Sequence, residues 1–158
     1  MSLLDFFQAC EQSVVGQAVQ GSAWLFPLIE AVHLVGLGVT AGAVLVVDLS
    51  LLGVGLNRQS VAQLSKDAEP WLLGSLAVMF ASGIPLGLSE AIKCYYSFAF
   101  WVKMTSLLLA ILFTFTVRRY VTQRGLSATR PLVARFTAFV SLVLWCGVGW
   151  GGRWIGFS

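Results

Sequence analysis

Residues 24–52 read WLFPLIEAVHLVGLGVTAGAVLVVDLSLL, an almost continuously apolar run. A helix needs about 20 mostly apolar residues to cross a bilayer, because the hydrocarbon core is about 30 Å thick and each residue rises about 1.5 Å. Three further apolar runs, over about 71–91, 98–117 and 132–150, meet the same criterion. The sequence therefore predicts an all-α integral membrane four-helix bundle that occupies residues 1–158 as a single domain.

The composition agrees with this membrane assignment. The chain has 158 residues, of which 58% are hydrophobic and 11% charged, whereas soluble domains carry about a quarter charged residues. These values exclude a water-soluble globule and a disordered chain. The sequence has no hydrolase, kinase or dinucleotide-binding motif. Among enzymes, only a small haem or metal redox protein remains open.

The segment before the first apolar run has the pattern of an amphipathic helix. Its apolar residues recur at helical spacing, at Leu3, Phe7, Cys10, Val14 and Ala18. We expect residues 1–21 to form one helix on the membrane surface. Ser22, or the pair Gly21–Ser22, is then expected to cap the first span.

The positive residues predict the orientation of the chain. Seven of the ten Lys and Arg residues flank the ends of the spans on one side, at Arg58, Lys66, Arg118, Arg119, Arg124, Arg130 and Arg135. The other side has Lys93, Lys103 and Arg153. The positive-inside rule then places both termini outside the inner (plasma) membrane. The net charge of +3 thus reflects membrane topology and is not the signature of a nucleic-acid-binding protein.

Ionisable residues inside a span are costly and therefore mark candidate functional sites. The first span contains three of them, Glu30, His33 and Asp48. At 100° per residue, these three and Thr40 fall on one face of the helix. That face is expected to point into the bundle or towards a partner chain. Asp48 is near the inner end of the span. Pairing with Arg58, Arg118 or Arg119 is the favoured interpretation of this residue, and a role in transport is the alternative.

His33 is the single histidine of the chain, and we expect it about 13 Å below the outer surface. One interpretation is structural, with a neutral imidazole hydrogen-bonded to Glu30 or to a neighbouring helix. The other is a ligand to haem b or a copper-like transition metal, with Met104 as a second haem ligand. Glu30, Met104 and Cys146 lie at matching depths as further metal ligands, a donor set that suits copper or haem.

Three functions follow from these residues. The leading hypothesis is membrane redox or metal handling through a metal or haem at His33, with a periplasmic partner. The second is a proton-coupled transporter or channel that uses the face of Glu30, His33, Thr40 and Asp48. The third is an accessory subunit without a site of its own. Gly38 and Gly42, on the opposite side of the first span, form a small-xxx-small pair that is suited to contact with a second copy or another helix.

The three cysteines, Cys10, Cys94 and Cys146, all fall on the outer side in this topology. An outer compartment is oxidising, so a disulfide between Cys10 and Cys94 is expected.

Several segments resemble a family of small bacterial inner-membrane proteins described as a domain of unknown function. The resemblance is carried by Trp24–Gly36, Asp48–Gly53, Ser89–Tyr95, Lys103 and Gly152–Phe157. It covers nearly the whole chain and implies four spans in a bacterial inner membrane, without implying an activity. The family pattern often has an arginine at the position of Ser50 and a histidine near Val117. These departures argue against a second histidine ligand here.

Overall fold

The computed structural model describes residues 2–54 and 59–155. Four helices in this part of the chain are long and apolar enough to cross a membrane, Leu25–Leu52, Val61–Ser89, Phe98–Gln123 and Pro131–Ile155. In chain order the elements are α1 (Leu3–Glu11), α2 (Val14–Gln20), α3 (Leu25–Leu52), α4 (Val61–Ser89), α5 (Ala91–Tyr96), α6 (Phe98–Phe113), a π-helical turn (Thr114–Arg118), α7 (Arg119–Gln123), α8 (Leu126–Thr129) and α9 (Pro131–Ile155). No strand occurs in the described ranges, which confirms the all-α membrane bundle. The protein is a multi-pass membrane protein.

The ends of α3 follow from local side-chain and backbone chemistry. Trp24 occupies the N-cap position of α3 and makes no capping bond with its side chain. The predicted cap, Ser22, lies two residues earlier, and its hydroxyl accepts a hydrogen bond from the Leu25 amide at 3.2 Å. At the other end, Gly53 has a φ of +84°, a conformation that a glycine adopts without steric cost. That left-handed residue ends the helix.

The second and third long helices are longer than the apolar runs that predicted them. Helix α4 begins at Val61, well before Trp71, and Ser60 caps it by accepting from the Gln63 amide at 3.2 Å. The third span continues through the π-helical turn to Gln123. The added turns are more polar, so hydropathy alone did not include them.

The amino-terminal segment forms two short helices, which corrects the expected single helix. Helix α1 ends at Glu11 with Gln12 as its C-cap, and Ser13 caps α2 by accepting from the Gly16 amide. The segment is docked on the bundle, because the Glu11 carboxylate accepts a hydrogen bond from the Ile92 amide at 2.8 Å. Phe7 also packs against the ring of Tyr95, with centroids 5.4 Å apart.

In the bundle, α3 packs most extensively on α4, α6 packs on α9, and α3 also contacts α9. We name its ends after residues of α3. The His33 end is the one where α3 begins and α4 finishes, and the Asp48 end is the opposite one. Two buried apolar clusters lie in the half near Asp48, one of Val47, Leu51, Val121, Ala134 and Ala138 and one of Val44, Leu72 and Leu76.

Candidate functional site

His33 is held by helix α4 through a specific hydrogen bond. Its Nδ1 lies 2.9 Å from the Ser82 hydroxyl, which in turn lies 2.7 Å from the Val78 carbonyl. When the Ser82 proton points to that carbonyl, the Ser82 oxygen accepts from His33 Nδ1–H and Nε2 carries the lone pair; when Ser82 donates to Nδ1, the proton is on Nε2. A Cβ at Gly83 would lie 3.1 Å from the His33 ring, so glycine permits this close approach.

A lysine lies near His33 at the same end of the bundle. Lys103 is partly buried against α9, where a Cβ at Gly151 would come within 2.9 Å of the Lys103 Cβ. Its charge interacts with His33 and with the thiol of Cys94. Burial, with a further contribution from the Glu90 carboxylate, raises the pKa of Cys94 to about 11. The thiol is therefore protonated near neutral pH.

In the middle of the bundle, Thr40 and Ser75 form a hydrogen-bonded pair. The two hydroxyl oxygens are 2.8 Å apart. Thr40 also lies 2.9 Å from the Gly36 carbonyl, and Ser75 lies 3.1 Å from the Leu72 carbonyl. Each hydroxyl has one proton, so either can donate to the other while the second donates to its own helix. The pair therefore has two equivalent hydrogen-bond directions.

Asp48 and Arg118 form a buried ion pair. Arg118 Nε donates to Asp48 Oδ1 at 2.7 Å, and the two side chains are 5% and 0% exposed. Arg118 Nη2 also donates to the Val44 carbonyl at 3.1 Å. Asp48 Oδ2 makes no hydrogen bond of acceptable geometry to the described residues, and neither does the Ser141 hydroxyl. Ser141 nevertheless faces the Asp48 carboxylate closely enough to interact with its charge.

The π-helical turn of the third span carries Arg118 and Thr114. Both side chains are buried, and the Thr114 hydroxyl accepts a hydrogen bond from the Trp145 indole at 3.2 Å. Single π-helical turns occur frequently at functional sites. Here the turn directs the Arg118 guanidinium towards Asp48.

We call these three interacting pairs the polar column. It comprises His33 with Ser82, Thr40 with Ser75, and Asp48 with Arg118. Along α3 the levels are separated by about 10 and 12 Å, from the 1.5 Å rise per residue. Val44 and Leu72, which pack in one apolar cluster with Leu76, form an apolar layer between the middle level and the Asp48 end.

The other predicted ligands of His33 have exposed side chains, and their binding of a metal together with His33 stays a prediction. Glu30 is exposed, Met104 is 43% exposed, and Cys146 is exposed as well. Within residues 2–54 and 59–155, no group of three or more His, Cys, Asp and Glu residues is arranged to hold a metal ion. Of the arginines predicted to pair with Asp48, Arg118 does so, and Arg58 lies outside the described residues.

The structure also bears on the expected disulfide and on the expected contact surface at Gly38 and Gly42. Cys10 and Cys94 are free thiols, so the expected disulfide is not formed. Gly38 and Gly42 lie on an exposed side of α3, where an added side chain would meet no described atom within 4 Å. This pair takes no part in packing within the bundle.

Several residues of the site were missed by sequence reasoning. Ser75, Ser82 and Ser89 are all buried and are seven residues apart on α4. A repeat of seven keeps residues on nearly one face of a helix, so this spacing was a usable signal. Ser141 and Thr114 carry no comparable pattern.

Comparison with protein families places the chain in a family. The chain belongs to a family described as a family of unknown function (DUF6644), whose model matches residues 6–158. No curated protein and no solved structure matches the chain. The residues of the polar column are therefore the features from which a function can be inferred.

Proposed function

We propose that this member of the family is a proton-coupled transport protein that uses the polar column as its proton path. Within the column, Asp48 and His33 are the groups that bind and release protons. Thr40 and Ser75 connect the two. The exposed Glu30 has no role in this path.

The observation that carries the proposal is the buried Asp48–Arg118 pair with one unpaired carboxylate oxygen. Removing two charges from water is expensive, and ionisable groups inside membrane spans mark proton and ion pathways. The pairing with Arg118 satisfies Oδ1, whereas Oδ2 lacks a hydrogen bond in the described part of the chain. A proton on Oδ2 would weaken the ion pair and could donate towards Ser141. Asp48 is therefore suited to reversible protonation.

The middle of the column supports the same proposal. The Thr40–Ser75 pair accepts either hydrogen-bond direction, and this reversibility is what a relay of hydroxyl groups requires. The levels of the column are about 10 and 12 Å apart, which is longer than one hydrogen bond. Water must therefore enter for a proton to pass from one level to the next. The apolar layer at Val44 and Leu72 opposes such entry, since hydrophobic constrictions gate by excluding water. A proton can then cross this gap only when water enters the apolar layer.

Proton flux into liposomes that contain the purified protein tests this function. We expect an imposed membrane potential to acidify vesicles with the wild-type protein, and Asp48→Asn to reduce the rate at least about tenfold. Asp67→Asn is the matched control, because Asp67 is an exposed carboxylate on α4 whose partner is Gln63. Asp48→Glu keeps an acid at the site and should retain part of the flux. Equal flux through the wild type, Asp48→Asn and empty vesicles would overturn the proposal.

A second candidate function is binding of haem b or a copper-like metal at His33. It is favoured by the contact of His33 Nδ1 with the Ser82 hydroxyl, because a metal-bound histidine usually donates its other ring N–H to a fixed acceptor and keeps a lone pair for the metal. A second copy of the chain would then supply further ligands. Elemental analysis and reduced-minus-oxidised spectra of the purified protein test it. A metal-free, colourless protein, unchanged by His33→Ala, would contradict it.

A further inference from the structure

A groove runs between α3 and α4 on the outside of the bundle. Ten residues line it, five from each helix, within 31–39 of α3 and 70–78 of α4. Val35 and Trp71, one on each wall, are 69% and 68% exposed, so the groove is open to the surroundings of the bundle. Because both helices are long and apolar enough to span a membrane, those surroundings are mainly the hydrocarbon of the bilayer.

The lining of the groove is uncharged. None of the ten residues is acidic or basic, and only Ser75 and Trp71 have polar side-chain atoms. The groove has a volume of about 550 Å³, within the range of about 300–1,000 Å³ for pockets that bind organic molecules. A charged group would lose its water here without gaining a partner. The part of a ligand that lies in the groove is therefore apolar.

The groove is elongated in the direction in which the helices cross the membrane. The first two levels of the polar column set the register of the antiparallel helices α3 and α4. In this register Pro70 on α4 is level with Leu45 on α3, so the lining covers the levels of residues 31–45 of α3. That span is about 20 Å at 1.5 Å per residue. An extended hydrocarbon chain matches this shape better than a compact molecule does.

One end of the groove lies where α4 changes from polar to apolar. Lys66, Asp67 and Glu69 precede this end, whereas residues 71–89 include no charged residue. Because charged side chains are costly in the hydrocarbon core, its boundary on α4 lies near Trp71. Tryptophan is enriched at such boundaries, where the ring lies in the apolar region and the indole N–H reaches the headgroup level. The groove thus begins at the headgroups and continues into the hydrocarbon.

We propose that the groove is a binding site for a phospholipid of the leaflet at the Asp48 end, with one hydrocarbon chain along the groove and the headgroup beside Trp71. Ser75 belongs both to the lining and to the middle level of the polar column. The bound chain therefore lies against this level and excludes water from that side. The inference goes beyond the proposed function, because lipid binding does not require that protons cross the column.

Native mass spectrometry of the purified protein in detergent tests the site, with phosphatidylglycerol that has two sixteen-carbon chains as the probe. A Cβ at Gly74, which lines the groove, would meet no described atom within 4 Å, so Gly74→Leu fills the groove without a clash. We expect it to weaken lipid binding at least about tenfold, since each buried CH₂ contributes about fourfold in affinity. Gly42→Leu is the matched control and should retain the affinity, because Gly42 is equally open but does not line the groove.

Two further measurements test the orientation of the lipid and the need for its chain. Trp71→Phe keeps the aromatic ring but removes the N–H, and it should weaken binding about fivefold, as expected for one hydrogen bond. Glycerol 3-phosphate, which has no hydrocarbon chain, should not bind. Equal lipid affinity in the wild type and Gly74→Leu would overturn the site. A lipid-free dimer that Gly74→Leu converts into a monomer would assign the groove to a second copy of the chain and would also overturn it.

Discussion

Arg118 Nε lies 2.7 Å from Asp48 Oδ1 and joins two positions that are 70 residues apart in the chain. The bond links the π-helical turn of the third span to α3, the first span. Because both groups are buried, neither charge has an alternative partner in solvent. The pair therefore ties these two helices together at the Asp48 end of the bundle, beside the apolar cluster that contains Val47 and Val121.

The stability of the bundle should be sensitive to one member of this pair but less sensitive to both. Arg118→Leu leaves the Asp48 carboxylate buried without its partner, and we expect a loss of about 3–5 kcal/mol. The double variant Asp48→Leu with Arg118→Leu should recover most of that loss, because an apolar pair of similar volume needs no desolvation of charge. Denaturation in detergent, followed by circular dichroism, measures both. Equal destabilisation by the single and double variants would contradict this account.

The fold and part of the site could be predicted from the sequence for different reasons. Hydropathy marks each span because every span must match the thickness of the hydrocarbon core. The helical period places His33, Thr40 and Asp48 on one face of α3, and the structure buries Thr40 and Asp48. Depth alone also selected Met104, but depth does not determine the direction of a side chain, and Met104 is 43% exposed.

The direction of Arg118 could not be predicted from an ideal helical period. Ala110, Thr114, Arg118 and Thr122 are all buried, at a spacing of four. In a regular α-helix each such step advances by about 40°, so three steps move a residue about 120° around the axis. The π-helical turn has more residues per turn, which reduces this drift. The segment TFTVR carries no sequence signal for such a turn.

Removal of the Thr40 hydroxyl should lower proton flux strongly while changing the stability of the protein only slightly. Thr40→Val keeps the shape of the side chain but removes the hydrogen bond to Ser75, and we expect a stability change of about 1 kcal/mol. Proton flux in liposomes should nevertheless fall by about tenfold or more. Thr116→Val is the matched control, since Thr116 is exposed and donates only to the Leu112 carbonyl. Wild-type flux through Thr40→Val would exclude the middle level as a relay.

The contact between α6 and α9 should be intolerant of one added methyl group. A Cβ at Gly151 would come within 2.9 Å of the Ala99 carbonyl oxygen and of the Lys103 Cβ. Gly151→Ala is therefore expected to lower stability by about 1–3 kcal/mol. At Gly149 a Cβ would meet no described atom within 4 Å, so Gly149→Ala should have little effect. Thermal unfolding of the two variants in one detergent compares them, and equal melting temperatures would be the contrary result.

The reactivity of Cys94 should depend strongly on pH. Its pKa is raised from 9.0 to about 11, chiefly by burial, and the thiolate is the reactive form. Labelling by a maleimide, followed by peptide mass mapping, should be slow at pH 7 and should accelerate about tenfold per pH unit up to about pH 11. The half-buried Cys10 is the internal comparison. Rapid labelling of Cys94 at pH 7 would contradict the buried, protonated thiol.

The raised pKa of Cys94 also makes the folding stability of the protein depend on pH. The folded protein retains the Cys94 proton at pH values where the unfolded chain, with a pKa near 9.0, has lost it. Folding is therefore favoured by this group below about pH 9, and that contribution is lost as the pH rises from about 9 through about 11. Cys94→Ser should show less loss of stability over this interval than the wild type does. An identical decline in both proteins would assign it to other groups.

The hydrogen bond from the Ile92 amide to Glu11 joins positions 81 residues apart, and this separation sets an order of events during biosynthesis. The amino-terminal helices leave the ribosome first, but their docking site on α5 does not yet exist. At about 5–20 residues per second, the interval before Ile92 is made is on the order of 4–16 s. During that time the apolar side chains of the two short helices need another surface to cover them, and the nearest one is the lipid itself.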